Sequence, residues 1–162
     1  MKYLIELGAD INKENKEGET PLFEACLVRN ENAVKYLIEH GADINKENKK
    51  GETPLFYACY IGNEAIVKYL IEHGADINKE NKKGETPLFS ARYIENEAIV
   101  KYLIEHGADI NKENKKGETP LFDACYSGNE ARVKYLIEHG ADINKENKEE
   151  ETPLFNACKI FS

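Results

Sequence analysis

Apolar residues arrive in two bursts, and the pair of bursts recurs every 33 residues. In residues 48–80 the first burst is Leu55, Phe56, Ala58 and Ile61, and the second is Ala65, Ile66, Val67, Tyr69, Leu70 and Ile71. Each burst predicts one short helix. Thr53-Pro54 opens the first. The Thr oxygen is expected to accept from a backbone N–H of the first turn, and Pro at the first helical position lacks a donor that would be unpaired anyway. Asn63 is the expected N-cap of a second helix, Glu64 to His73, which Gly74 stops. Asn81-Lys82-Lys83-Gly84 then reads as a turn before the next Thr-Pro. The second burst is too broad for one narrow stripe, so that helix needs neighbours on more than one side. Neither helix reaches the length that persists alone in water, about 12–15 residues. The predicted fold is therefore all-α, a solenoid of stacked helix-turn-helix units that stabilise one another.

The phase of the repeat is carried by Thr-Pro-Leu-Phe at Thr20–Phe23, Thr53–Phe56, Thr86–Phe89, Thr119–Phe122 and Thr152–Phe155. It divides the chain into a half unit at 1–14, full units at 15–47, 48–80, 81–113 and 114–146, and a half unit at 147–162. The first half unit is a second helix and the last is a first helix. The Ile160-Phe161 tail is apolar, and the Leu4-Ile5-Leu7 helix has no partner on its outer side. Weak head-to-tail contact between molecules, continuing the array as an open filament, is the expectation from these ends. Excision from a longer array is the other reading.

The period, the Thr-Pro-Leu start, Ala58 three residues after Leu55 and the Gly-Ala-Asp-Ile-Asn stretch at 74–78 resemble the ankyrin repeat over the whole chain. That resemblance implies antiparallel helix pairs with hairpin-like loops projecting to one side, and an activity that consists of binding other proteins. It implies that the hairpin tips and the exposed side of the first helices are the surface used. Two departures carry physical consequences. The family commonly has His after Thr-Pro-Leu, where this chain has Phe, so an aromatic ladder is expected in place of Thr–His hydrogen bonds. Asn15, Asn48, Asn81, Asn114 and Asn147 stand where Asp is usual and should still support an Asx turn.

Net charge is −8, from 22 Lys and Arg against 30 Asp and Glu. An acidic balance argues against nucleic acid as partner, since that needs a basic footprint. No apolar run approaches the ~20 residues of a membrane span. Cys26, Cys59, Cys125 and Cys158 occupy one slot in four units. Stacked helices lie about 8–10 Å apart, beyond the ~7 Å limit for a disulfide. Reduced, half-buried thiols are expected, in keeping with the cytoplasm or another reducing compartment. His40, His73, His106 and His139 also recur once per unit. They cannot converge on a zinc ion, whose ligand bonds are about 2.0–2.1 Å long. They read instead as helix C-terminal residues. No phosphate loop, nucleophile elbow or His-Glu-x-x-His occurs. Catalytic residues, cofactor and metal are all expected to be absent.

Variation between units is the informative signal. Units 48–80 and 81–113 differ only at Tyr57/Ser90, Cys59/Arg92 and Gly62/Glu95. One column on the first helix reads Glu24, Tyr57, Ser90, Asp123, Asn156, and the next Leu27, Tyr60, Tyr93, Tyr126, Lys159. A column that drifts from Tyr to Asp is expected to be solvent-exposed. Exposed tyrosines among mixed polar residues suit protein recognition. Tyr57, Tyr60, Tyr93 and Tyr126 are the candidate aromatic anchors for a protein partner, with Ser90, Arg92 and Asp123 setting the polar pattern. The alternative is that the tyrosines only pack between adjacent first helices. A duplicated scaffold without a dedicated partner and a regulatory segment of a larger protein are the other functional readings. Three positions strain the pattern. Arg29 and Glu95 stand where Gly62 and Gly128 end their helices, and Glu150 replaces the turn glycine, so the last turn should be the loosest. Arg92 is expected to snorkel outward from the Cys slot.

Overall fold

A computed structural model describes residues 2–91 and 97–159. Its helices are α1 (Lys2–Glu6), α2 (Pro21–Leu27), α3 (Glu31–Glu39), α4 (Pro54–Ile61), α5 (Glu64–Glu72), α6 (Pro87–Ser90), α7 (Glu97–Glu105), α8 (Pro120–Tyr126), α9 (Glu130–Glu138) and α10 (Pro153–Cys158). No strand occurs among the described residues. Short Pro-led helices alternate with nine-residue Glu-led helices. The Pro-led helices pack on one another in chain order, α2 on α4, α4 on α6, α6 on α8 and α8 on α10. The Glu-led helices form a second row, α3 on α5, α5 on α7 and α7 on α9. The result is a two-row stack with one continuous apolar core. Leu22, Leu55, Leu88 and Leu121 from the first row meet Val34, Val67 and Val100 from the second, all of them buried.

The Asn caps form as expected: the side chains of Asn30, Asn63 and Asn129 accept from Ala33 N, Ile66 N and Arg132 N at 2.9–3.1 Å. The Thr caps do not. Thr20, Thr53, Thr86 and Thr119 are buried, and each hydroxyl is without a hydrogen-bond partner. Only the Thr backbone carbonyl takes part, accepting from the Phe N–H three residues on, as Thr53 does from Phe56 at 3.0 Å. The Phe ladder is also corrected. Among the described rings, Phe23 meets Tyr57 edge-on with centroids 5.2 Å apart. The ring pair that recurs in every full unit is Tyr with His four residues later, as in Tyr69–His73 at 3.9 Å.

Adjacent units are tied along both margins of the stack. On one margin the backbones of successive turns join directly: Lys49 N–H donates to Glu17 O at 2.9 Å, and Lys82 N–H to Lys50 O at 2.8 Å. Each turn is closed internally by its Asn, as where Asn48 Oδ1 accepts from Lys50 N at 2.8 Å and Glu52 N at 3.0 Å, the expected Asx turn. The close approach explains the turn glycine. Gly51 has φ 76°, and a Cβ there would meet Lys82 N of the next turn at 3.0 Å. Glu150 occupies the matching place with φ 60°. On the other margin, Asn45 donates from Nδ2 to Gly74 O at 3.0 Å and accepts at Oδ1 from Asp76 N at 2.8 Å. Asn12, Asn78 and Asn111 repeat that bridge. Lys46, Lys79, Lys112 and Lys145 each reach a Glu of the preceding unit at 2.7 Å.

Arg29 takes the left-handed conformation expected of its position, φ 58°, and its guanidinium donates to Ile61 O of the next unit at 2.7 Å. Glu95 and the snorkelling expected of Arg92 lie outside the described residues. Arg132 replaces the Ile of Ile66 and Ile99 at a core position, is 2% exposed, and donates from Nη2 to Leu88 O at 3.1 Å. The expected thiol burial is graded: Cys26 and Cys59 are buried, Cys125 is half-buried and Cys158 is exposed, and all four are free. Burial pushes the Cys26 thiol up to about 12.

A buried hydroxyl without a partner costs about 1–3 kcal/mol. Thr53 also has the extended backbone that a β-branched side chain tolerates, φ −101° and ψ 169°. Thr53→Val is therefore expected to stabilise the fold and raise Tm by about 2–4 °C for each kcal/mol gained. A fall in Tm in a thermal melt would show that the hydroxyl holds something in place.

Candidate functional site

The described residues of the variable columns lie on, or just after, the Pro-led helices α2, α4, α6, α8 and α10. The described residues of the second column are exposed. Tyr60 on α4 is 48% exposed and Tyr126 on α8 is 62% exposed. Leu27 stands in the same register on α2 and is also exposed. Tyr60, Leu27 and Ser90 line one cavity of about 300 Å³, which reaches to Lys50 of the neighbouring turn. Tyr126 and Asp123 line a larger one of about 620 Å³, floored by Phe122. Tyr93 and Arg92 lie outside the described residues.

The first column is not uniformly exposed, contrary to expectation. Glu24 is exposed, Tyr57, Ser90 and Asp123 are half-buried, and Asn156 is 8% exposed. The column runs along the crease between a first helix and the turns, so its burial depends on what each turn places over it. Asn156 tolerates burial because its Nδ2 donates to Phe122 O of the preceding unit at 3.4 Å.

Tyr57 differs from the other candidate anchors. Its ring stands edge-on to Phe23, its hydroxyl donates to Glu19 Oε1 at 2.5 Å, and Asn48 Nδ2 donates to that hydroxyl at 3.3 Å. It braces one unit against the turn of the preceding one, which is the packing alternative realised at this position. The bond from Tyr57, followed by one from Asn15, holds the Glu19 carboxyl below its usual range. Burial first, then the Glu19 carboxylate, pushes the Tyr57 hydroxyl well above the ordinary tyrosine value.

The repeated histidines have a structural assignment. His40, His73, His106 and His139 follow the second helices, stack on the Tyr four residues earlier, and donate from Nδ1 to its carbonyl at 2.8 Å. Among the described residues no group of His, Cys, Asp and Glu is placed to hold a metal ion. No helix among them is long and apolar enough to cross a membrane. Sequence reasoning missed the Asn12, Asn45, Asn78 and Asn111 bridges. Their signal was an Asn that recurs in every unit without a local turn or cap to explain it. It also passed over Arg132, legible as a charge in an otherwise apolar column.

A two-row stack of 33-residue helix pairs with linked turns defines a helical repeat solenoid whose unit is the ankyrin repeat. The family model described as ankyrin repeats (3 copies) matches residues 1–81 and 76–147, and the chain belongs to that family. The family's general role is protein binding and scaffolding, without catalysis. The comparison with curated proteins gave no match.

Tyr57 and Glu19 define a pH test. Glu19 titrates lower in the folded chain, so its contribution is present above the unfolded value of about 4.3 and fades as pH falls through the folded one. Tyr57 titrates higher, so its contribution is present below about 10 and fades as pH rises through its folded value. Tyr57→Phe is expected to cost about 1 kcal/mol between roughly pH 5 and 9, a charged hydrogen bond discounted for solvent. The cost should shrink below pH 4. Urea titrations at pH 7 and pH 3 measure it, and an equal cost at both would remove the carboxylate from the account.

Proposed function

We propose that this chain is a protein–protein interaction module that engages its partner through the first helices and the adjoining turns. The observation that carries this reading is the exposure of Tyr60 and Tyr126 in the column that varies between otherwise near-identical units. Large amphipathic rings at the edge of a cavity supply contact area at low entropic cost, and such residues dominate binding energy in interfaces. Tyr93 belongs to the same column, Ser90, Arg92 and Asp123 supply the polar contacts between the rings, and Tyr57 supports the surface from beneath. The domain is a single array with units at 15–47, 48–80, 81–113 and 114–146 flanked by half units at 1–14 and 147–162. A reducing compartment suits its four free thiols.

A second reading, weak head-to-tail contact between copies, is favoured by two apolar faces. Leu4 and Leu7 are exposed, Leu4 at the edge of a cavity of about 460 Å³ formed with α2 and α3, and Leu154 and Phe155 are exposed on α10. Leu55 and Phe56, the counterparts of the last two, are buried against a neighbouring unit.

For the leading reading, a partner is captured by pull-down and its affinity measured for wild type and for Tyr60→Ala with Tyr126→Ala. Loss of about thirtyfold or more is expected, the scale of one binding hot spot, with little change in thermal unfolding. Unchanged affinity would reject the surface. For the second reading, light scattering should show mass rising with concentration, and Leu154→Asp should abolish the rise. A strict monomer at high concentration excludes it.

A further inference from the structure

The larger cavity beside Tyr126 carries a charge asymmetry that runs against the chain as a whole. Its wall is made by two successive turns bearing Lys82, Lys83, Lys115 and Lys116, all exposed. None of the four takes part in a described salt bridge. By contrast, Lys79 and Lys112, a few residues before these turns, each hold a Glu at 2.7 Å. The acidic groups of the same wall are drawn inward. Glu85 accepts from Asn81 Nδ2 and Glu118 from Asn114 Nδ2, each at 3.0 Å, and both are half-buried. The four lysines are therefore exposed along the groove while Glu85 and Glu118 are tied back to their turns, which leaves Asp123, half-buried on α8, as the third carboxylate of the lining.

The lysines are also held at a fixed pitch. Lys115 N–H donates to Lys83 O at 2.8 Å, so the turns that carry the side chains are locked together. Equivalent residues of neighbouring units repeat at about the helix packing distance, 8–10 Å. A polyproline II segment advances about 3.1 Å per residue with three residues per turn, so side chains three apart lie on one face at about 9 Å. We propose that this groove binds an acidic peptide segment in extended, polyproline-like form, with carboxylates three residues apart on successive lysine pairs and its intervening residues against Tyr126. The proposal rests on the protein-binding reading of the same surface and names the chemistry of the partner. The overall charge of −8 does not prevent it, because charges farther than about 8 Å are screened at physiological salt. That same balance disfavours nucleic acid, whose long anionic backbone would meet the rest of the acidic surface.

The test uses the full chain, ¹⁵N-labelled, and three synthetic nonapeptides with blocked ends: Glu-Pro-Pro three times over, the same residues with the three Glu clustered at one end, and Gln-Pro-Pro three times over. The spaced acidic peptide is expected to shift the amide signals of Lys83, Lys116 and Tyr126 and to bind about tenfold tighter than the Gln peptide, the sum of a few exposed charge pairs. Lys83→Gln with Lys116→Gln, a surface change that leaves the melt unmoved, should erase that advantage, as should high salt. Equal binding of the spaced and clustered acidic peptides would overturn the pitch argument and with it the proposal. A Gln peptide that shifts the same signals equally well would overturn the acidic partner while leaving the binding surface standing. Shifts confined to other regions would remove both. Oligothymidylate binding the groove as tightly as the spaced peptide would replace the proposal with a general polyanion site.

Discussion

The structure depends on contact between units, because no helix among the described residues is long enough to hold itself. The second-row helices have nine residues and the first-row helices fewer, against the roughly 12–15 that an isolated helix needs. What fixes the spacing is the pair of margins. Backbone bonds join turn to turn on one side, and Asn side chains bridge loop to loop on the other. Between them the leucines of the first row and the valines of the second fill a continuous core. Each margin uses backbone groups that do not change with sequence, so the units can differ on their first helices without disturbing the pitch.

That division of labour bears on function. Side chains that set the pitch are the same in nearly every unit, and side chains that differ are carried by a frame that does not move with them. Tyr60 and Tyr126 therefore change identity within the column at little structural cost, as Leu27 shows by standing in the same register. The turns contribute charge in the same impersonal way. Their lysines recur because the turn recurs, and the Asx closure pulls the following Glu inward in each copy. A basic wall next to an aromatic floor is thus a by-product of turn chemistry that a binding surface can use.

The architecture was legible because it rests on periodicity, Pro-led helix starts and Asn caps, all of which are local signals repeated five or four times over. The contacts that cross between units were less legible. Thr53 was read from local preference as a cap, yet its side chain is buried against the stack and its hydroxyl is left without a partner. The Phe residues were expected to stack on one another, but the ring that meets Phe23 is Tyr57. The inference that a column mixing Tyr and Asp must face solvent failed at Asn156, where a single carbonyl of the neighbouring unit makes burial tolerable. In each case the deciding group belongs to another unit, and no property of the residue itself reports it. Of the candidate anchors, the sequence alone could not separate Tyr57, which braces, from Tyr60 and Tyr126, which project.

The cysteine slot has a consequence of its own. Four thiols occupy equivalent places along the stack, yet two are sealed in, one is half covered and one is open. Units of a solenoid can open separately, since each touches only its neighbours. The sealed thiols can therefore meet an alkylating reagent only when their own stretch breathes. The chain carries a row of chemical gauges at intervals along its axis, and their labelling rates would map where the stack first comes apart.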